Sequence, residues 1–111
     1  NNKSLIFIPD IDKWEKWEIN IGDLIKKVDY AFLDATFYKN GELKRDMSEI
    51  PHPFVEESME LFSTLSDADK HKVHFIHLNH TNPLLIEGSI AQKKVLKKGF
   101  NLAKEGEIIR F

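Results

Sequence analysis

The stretch Val28-Asp29-Tyr30-Ala31-Phe32-Leu33-Asp34-Ala35-Thr36-Phe37 (residues 28–37) decides the fold of this 111-residue chain. Its apolar centre, Tyr30 to Leu33, is rich in the residue types that favour a buried strand, and Asp34 follows that strand at once. A similar apolar run, Leu5 to Ile8, closes at Pro9-Asp10. The sequence therefore predicts buried strands that each end in an acidic residue.

Helical patterns separate the predicted strands, and a third strand spans Val73 to Leu78. Capping residues, an early proline and a terminal glycine mark the helices. We expect one helix capped by Asn20 and running to Val28, one opening at Pro53 and one from Ser89 to Lys98 ended by Gly99. Residues 100–103 and 107–111 predict a terminal hairpin around Glu105-Gly106. This alternation indicates an α/β fold with helices packed on a sheet.

Composition excludes several classes of protein. The chain is 41% hydrophobic and 31% charged, which favours a folded domain over disorder. It has no cysteine, so disulfides and thiolate metal sites are excluded and imidazole and carboxylate are the strong ligands available. A net charge of −2 argues against a dedicated polyanion-binding module. No membrane-spanning run or secretion signal is apparent, so we expect a cytoplasmic protein.

Clustered histidines are the strongest chemical signal. Within ten residues the chain carries His71, His74, His77 and His80. In a strand, residues three apart point to opposite faces, so all four cannot meet one metal ion. His77 lies near the carboxyl end of its strand, where open α/β sheets place ligands. For each histidine the alternative is an ordinary hydrogen-bonded side chain.

Asp34, His52 and His77 each follow a strand or precede a helix at what would be one edge of the sheet. A carboxylate can bridge two cations, a neutral imidazole can bind one, and an unligated histidine can donate a proton to a leaving group. Asp34 could instead cap or turn the chain. We rank Asp10, after the first strand, below it as a candidate.

The segments 5–10 and 28–37 together resemble the second half of metallo-β-lactamase-fold hydrolases. Ile50-Pro51-His52-Pro53 resembles the histidine-bearing loop of the tRNA 3′-processing endoribonuclease and phosphodiesterase branch, and Phe75-Ile76-His77-Leu78-Asn79 the closing histidine motif of the family. The pyrroloquinoline-quinone biosynthesis B-type proteins are the most similar branch, through Asp34-Ala35-Thr36-Phe37 and Asn79-His80-Thr81-Asn82-Pro83. His80 departs from the pattern of that branch.

This resemblance implies an α/β fold that forms half of an αββα metallo-β-lactamase-type sandwich, a mixed sheet with helices packed on one face. It implies that Asp34 bridges two divalent metal ions, that His77 ligates one of them, and that His52 assists catalysis. His80 is a further candidate ligand. The ions are expected to be zinc, with manganese or iron as alternatives. The implied activity is hydrolysis of a phosphodiester or related ester by metal-activated water.

The histidine-rich signature that supplies most metal ligands in this family does not occur in the chain. We therefore expect residues 1–111 to be the C-terminal half of a larger domain, inactive alone. Its expected partners are the N-terminal half of the same fold and a small anionic or phosphodiester substrate. Self-association through an uncovered sheet is a further expectation.

Two other functions remain open at this point. A non-catalytic α/β binding or assembly module would use its histidines as ordinary polar residues and would not bring Asp34, His52 and His77 together. Nucleic-acid binding through Lys93, Lys94, Lys97 and Lys98 is the third hypothesis, against which a solvated helix face is the simpler interpretation.

Overall fold

A computed structural model of the protein describes residues 3–44, 46–47 and 49–103. One sheet contains four parallel strands in chain order: β1 (Leu5–Ile8), β2 (Tyr30–Asp34), β3 (Val73–Ile76) and β4 (Asn101–Leu102). Parallel neighbours require a crossover between them, and the predicted helices provide it. The predicted α/β class is confirmed.

The crossovers contain four α-helices and three short 3₁₀ helices among the described residues. The α-helices are α1 (Ile21–Lys27), α2 (Val55–Leu61), α3 (Asp67–His71) and α4 (Ile90–Lys97); the 3₁₀ helices are Trp14–Lys16, Phe62–Thr64 and Pro83–Leu85. Predicted caps are in place: the Asn20 side chain accepts from the Asp23 N–H and Ser89 from the Gln92 N–H, each at 3.1 Å. Gly99 follows α4 with a φ of 95°, a conformation that glycine adopts without strain.

Helices cover one face of the sheet. The alternate residues Ala31, Leu33, Val73 and Phe75 point into a core built with side chains of α1, α2 and α4, among them Ile25, Val55 and Val95. The opposite face carries Phe7, Phe32 and His74, which are register partners across three strands. Phe7 is 63% exposed. The prediction of helices packed on one face therefore holds for the described residues.

Some predicted boundaries were wrong. Helix α2 begins at Val55 with Phe54 as its N-cap, two residues later than the expected start at Pro53. Strand β3 stops at Ile76 instead of Leu78 because His77 has a φ of 63°, which turns the chain out of the extended conformation. Helix α3 was not predicted.

The first arm of the expected terminal hairpin pairs differently from the prediction. Asn101–Leu102 pairs with β3 in parallel, where a hairpin arm had been expected. The second arm, residues 107–111, lies outside the described residues. Within the described residues all strand pairs are parallel, where a mixed sheet had been expected.

A small second core holds the long segment between β2 and α2. It consists of Phe37, Met47, Ile50 and Phe54, all buried. The Val55 N–H donates to the Phe37 carbonyl at 3.0 Å, which closes this segment against the start of α2. None of the described helices has the length and apolar character required to cross a membrane.

Candidate metal centre

The register of the sheet gathers polar residues at its carboxyl edge. Ile8 at the end of β1 pairs with Leu33, and Asp34 at the end of β2 pairs with Ile76. Asp10 and His77, which come just after β1 and β3, therefore lie beside Asp34. Ligand sites in open parallel sheets occupy this edge.

Asp34 is a fully buried carboxylate, with 0% of its surface exposed. Its Oδ1 accepts from the Thr36 N–H at 2.8 Å and the Thr36 hydroxyl at 2.7 Å, and its Oδ2 accepts from the Ile11 N–H at 3.0 Å. A buried charge is tolerated only when such donors replace water. The donors fix both oxygens in position.

His52 completes the surroundings of Asp34. Its Nδ1 lies 2.8 Å from Oδ2 of Asp34 and 3.4 Å from Oδ1 of Asp10. The ring packs edge-on against Phe37, part of the second core, with centroids 6.1 Å apart. Only 20% of the His52 side chain is exposed, whereas the Asp10 side chain is 72% exposed. Packing against the second core thus places the His52 imidazole beside the carboxylates of Asp10 and Asp34.

Asp10, Asp34 and His52 form a donor set suited to a divalent cation. One ligand atom from each lies within 4.8 Å of the other two. Tetrahedral zinc with bonds of about 2.0 Å spaces its ligands about 3.3 Å apart, close to the observed 3.4 Å between Asp10 and His52; the 2.8 Å between Asp34 and His52 is a hydrogen bond that an ion would widen. Three protein ligands leave one position for water, the pattern of catalytic zinc sites. The residues present fit such an ion.

His77 joins this group through Thr36. The Thr36 hydroxyl lies 3.1 Å from Nδ1 of His77 and donates its single proton to Asp34. It must therefore accept a hydrogen bond from Nδ1–H of His77. This tautomer leaves the lone pair on Nε2 of His77, an exposed residue, available to a ligand.

The segment after His77 locks Thr36 in place. Asn82, 2% exposed, donates from its side-chain amide to the Ala35 carbonyl at 2.7 Å, and the Asn79 N–H donates to the Thr36 carbonyl at 2.9 Å. Glu42 accepts from both the Tyr38 N–H and the Thr81 hydroxyl. Burial and the negative charge of Glu56 raise the pKa of nearby Tyr38. The hydrogen bonds from Asn79 and Asn82 hold the segments 34–37 and 79–83 together.

The structure brings Asp34, His52 and His77 into one hydrogen-bonded chain. His80 is an exposed turn residue and, like His77, lies outside the three-residue donor set found among the described residues. His71 and His74 border a separate cavity of about 390 Å³ with Lys3, Asp29 and Lys72. The conclusion that the four clustered histidines cannot share one metal agrees with this arrangement.

Asp10 and Thr36 are the residues that sequence reasoning undervalued. Asp10 comes two residues after the end of β1 and Asp34 ends the neighbouring strand β2, so adjacency of the two strands would have placed them near each other. Thr36 was noticed only as part of a motif. No local pattern signals that its hydroxyl links Asp34 to His77, since the contact spans 41 residues.

Comparisons with known proteins show which proteins this chain resembles. No family model matches the sequence. Coenzyme PQQ synthesis protein B from Methylococcus capsulatus is 25% identical over 115 residues, covering 96% of this chain and 36% of the relative. The same protein from Gluconobacter oxydans is 25% identical over 114 residues, covering 97% and 36%.

The crystal structure of Zn(2+)-bound PqqB from Methylobacterium extorquens matches with a TM-score of 0.70 and 21% identity, covering 91% of this chain and 37% of that chain. The chain is similar in sequence and in fold to one part of PqqB. The resemblance read from the sequence is confirmed, and with it the metallo-β-lactamase type of fold. This chain spans little more than a third of the PqqB proteins it matches.

Proposed function

We propose that this chain contributes part of the active site of a metal-dependent hydrolase that cleaves a phosphodiester or a related ester. The convergence of Asp10, Asp34 and His52 at the carboxyl edge of the sheet carries the proposal. The link from Asp34 through Thr36 to His77 adds a second imidazole to the same region. Similarity in fold to a Zn(2+)-bound PqqB supports metal binding in general.

Asp10, Asp34 and His52 would hold one ion, and Nε2 of His77 is free to bind a second. Zinc suits this nitrogen and oxygen donor set, and manganese or iron would also accept it. A bound divalent ion would make a coordinated water nucleophilic near neutral pH. The three hydrogen bonds that Asp34 accepts from Ile11 and Thr36 would keep its carboxylate from rotating away from the ion.

His52 has two available roles. As a ligand it would use Nδ1, which faces both carboxylates. As a general acid it would act as the imidazolium, keeping Nδ1–H on Asp34 at 2.8 Å while Nε2 gives its own proton to the leaving group and becomes neutral. The hydrogen-bond length favours the second role for the metal-free chain, in which Asp34 orients the imidazole.

The uncovered face of the sheet is the surface proposed for the N-terminal half of the same fold. Leu5 is 43% exposed and Phe7 63% exposed, and Phe32 stacks on His74 with centroids 5.2 Å apart. Apolar faces of this kind are normally covered. The relatives are almost three times as long as this chain, which leaves room for a covering half. We expect the chain alone to have no hydrolase activity, because the proposed N-terminal half would supply further metal ligands.

The same face supports the competing proposal, a non-catalytic module that assembles with a partner. That alternative requires no metal at Asp34. Zinc affinity therefore separates the two, since a module without a metal site has no reason to bind zinc at the carboxyl edge.

Zinc titration against a chromophoric chelator tests the proposal. We expect Asp34→Asn and His52→Ala each to weaken zinc binding by about tenfold or more. Asp12→Asn is the matched control, because Asp12 lies in the same loop but pairs with Lys16 at 3.7 Å. Zinc binding that is equally tight in the wild type and in Asp34→Asn would overturn the proposal.

A further inference from the structure

We infer that Glu57 is a positioning residue that holds the Asp10 and His52 segments at the spacing a metal ion requires. This inference rests on the proposed function, since it concerns the same donor set. Glu57 lies in the first turn of α2 and touches neither Asp10 nor His52 in any recorded hydrogen bond or ion pair of the described residues. It acts through their neighbours in the chain.

One oxygen of Glu57 joins two segments that are far apart in sequence. Its Oε1 accepts from the Lys13 ammonium at 2.6 Å and from the Phe54 N–H at 2.8 Å. Lys13 comes three residues after Asp10, and Phe54 comes two residues after His52. The carboxylate therefore connects the two loops that deliver the proposed ligands.

Lys13 is unusually well enclosed for a lysine. Its side chain is 11% exposed, and its Nζ lies 3.6 Å from the centroid of the Phe54 ring. Exposed ion pairs contribute little, but an ammonium removed from water depends strongly on its carboxylate and its aromatic neighbour. Loss of Glu57 would leave Lys13 without that carboxylate, so we expect the side chain to move towards solvent.

A second contact fixes the same loop to the same helix. The Trp14 indole N–H donates to the buried Ser58 hydroxyl at 2.8 Å, one residue further along both the loop and α2. Trp14 also packs into the main core. This contact would keep the loop attached to α2 when Glu57 is replaced, so the change is confined to the residues before Trp14.

The backbone hydrogen bond of Ile11 shows whether the segment from Asp10 to Lys13 keeps its position. Its N–H donates to Oδ2 of Asp34 at 3.0 Å, and it lies between Asp10 and Lys13. Asp10 itself is 72% exposed and its recorded contact is the 3.4 Å approach to His52. A shift of Lys13 would therefore displace Asp10 and weaken the Ile11 bond, while the strands stay paired.

Zinc affinity and amide exchange on the chain test this inference together. We expect Glu57→Ala to raise the zinc dissociation constant about tenfold, the effect typical of residues that orient metal ligands. Glu56→Ala is the matched control: it removes a carboxylate from the same turn, but the side chain of Glu56 pairs with Lys94 at 3.9 Å, and its contact with the loop after β2 is a backbone bond to the Tyr38 carbonyl that alanine keeps. Its expected effect is less than about twofold on the same scale.

Hydrogen exchange of the metal-free chain gives a readout that general destabilisation would not reproduce. Glu57→Ala should speed exchange of the Ile11 amide and leave that of Ala31, which donates to the Lys72 carbonyl at 2.9 Å, unchanged. Glu57→Gln is the second variant in case the alanine variant fails to fold, because its amide oxygen can still accept from the Phe54 N–H. We expect Glu57→Gln to have no effect on zinc affinity in a Lys13→Met background, because the ammonium that the Glu57 carboxylate binds is then absent.

Equal zinc affinities of the Glu57 and Glu56 variants, or unchanged Ile11 exchange in Glu57→Ala, would overturn the role of Glu57. Failure of the proposed function looks different: zinc affinity would then be insensitive to Asp34→Asn. The exchange experiment needs no metal, so faster Ile11 exchange would still establish the positioning contact in that case.

Discussion

At the scale of single residues, the site depends on a chain of side chains that are hydrogen-bonded to one another. Asp34 accepts from Ile11, Thr36 and His52, and Thr36 in turn accepts from His77. Asp34 and His77 could be proposed from the sequence because Asp34 follows a predicted strand and His77 lies near the carboxyl end of another. The hydroxyl that joins them could not, since its partners are set by the register of β2 with β3.

Replacing Thr36 with valine tests this link. Val has the same shape but no hydroxyl, so buried Asp34 loses one donor and His77 loses its Nδ1 acceptor. We expect the free energy of unfolding to fall by about 1–3 kcal/mol. Histidine ¹⁵N spectra should show His77 no longer held with its proton on Nδ1. Thr36→Ser keeps the hydroxyl and should preserve the tautomer; a His77 spectrum identical in all three proteins would contradict the link.

At the scale of elements, capped and strongly amphipathic helices could be predicted and short polar ones could not. Helices α1 and α4 begin after Asn20 and Ser89 as expected. Helix α3 was missed because its five residues, DADKH, bear no apolar stripe. It is stabilised instead by its Ser66 cap and by Lys72, which pairs with Asp69 and reaches carbonyls at the end of α1.

The Asp69 pair gives α3 a defined acid sensitivity. The hydrogen bond from Lys72, at 2.7 Å, holds the pKa of Asp69 below its ordinary value against the opposing effect of burial, and a hydrogen bond from Ser66 adds to the lowering. A lowered carboxyl pKa contributes stability that is present above about pH 4 and lost as pH falls through the lower folded-state pKa.

Asp69→Asn should therefore lower the unfolding midpoint at neutral pH, and the difference from wild type should shrink in acid. Denaturant unfolding between neutral pH and about pH 3 measures this, across the range where an ordinary aspartate titrates. Asp67→Asn removes a charge from the same turn and leaves the Lys72 pair intact, so it should not reproduce the pattern. A difference that is independent of pH would count against the pair.

At the scale of the whole molecule, the helices among the described residues cover one side of the sheet only. The helix-facing residues of β2 and β3 are buried, while Phe7 and Leu5 on the other face are largely exposed. The sequence indicated a core of sufficient size for a small domain. It did not indicate which face of the strands lacks a partner, because Tyr30 to Leu33 is apolar on both sides.

Self-association through the uncovered face is the expected behaviour of the chain alone. Sedimentation velocity should show a dimer or larger species that grows with concentration. Phe7→Lys, which places a charge on that face at the edge strand β1, should shift the chain towards monomer. Leu96→Lys is the control, since Leu96 is 54% exposed on α4 at the opposite side of the sheet. A wild-type monomer at every concentration would contradict this expectation.

The central claim is that Asp10, Asp34 and His52 form a metal centre. Zinc titration of the chain, followed by ¹⁵N chemical shifts of all five histidines, tests it most directly because each imidazole nitrogen reports its own ligand or proton. We predict that the first equivalent of zinc changes the Nδ1 resonance of His52 and leaves those of His71 and His74 unchanged. Zinc that perturbs only His71, His74 or His80, or no histidine at all, would contradict the account.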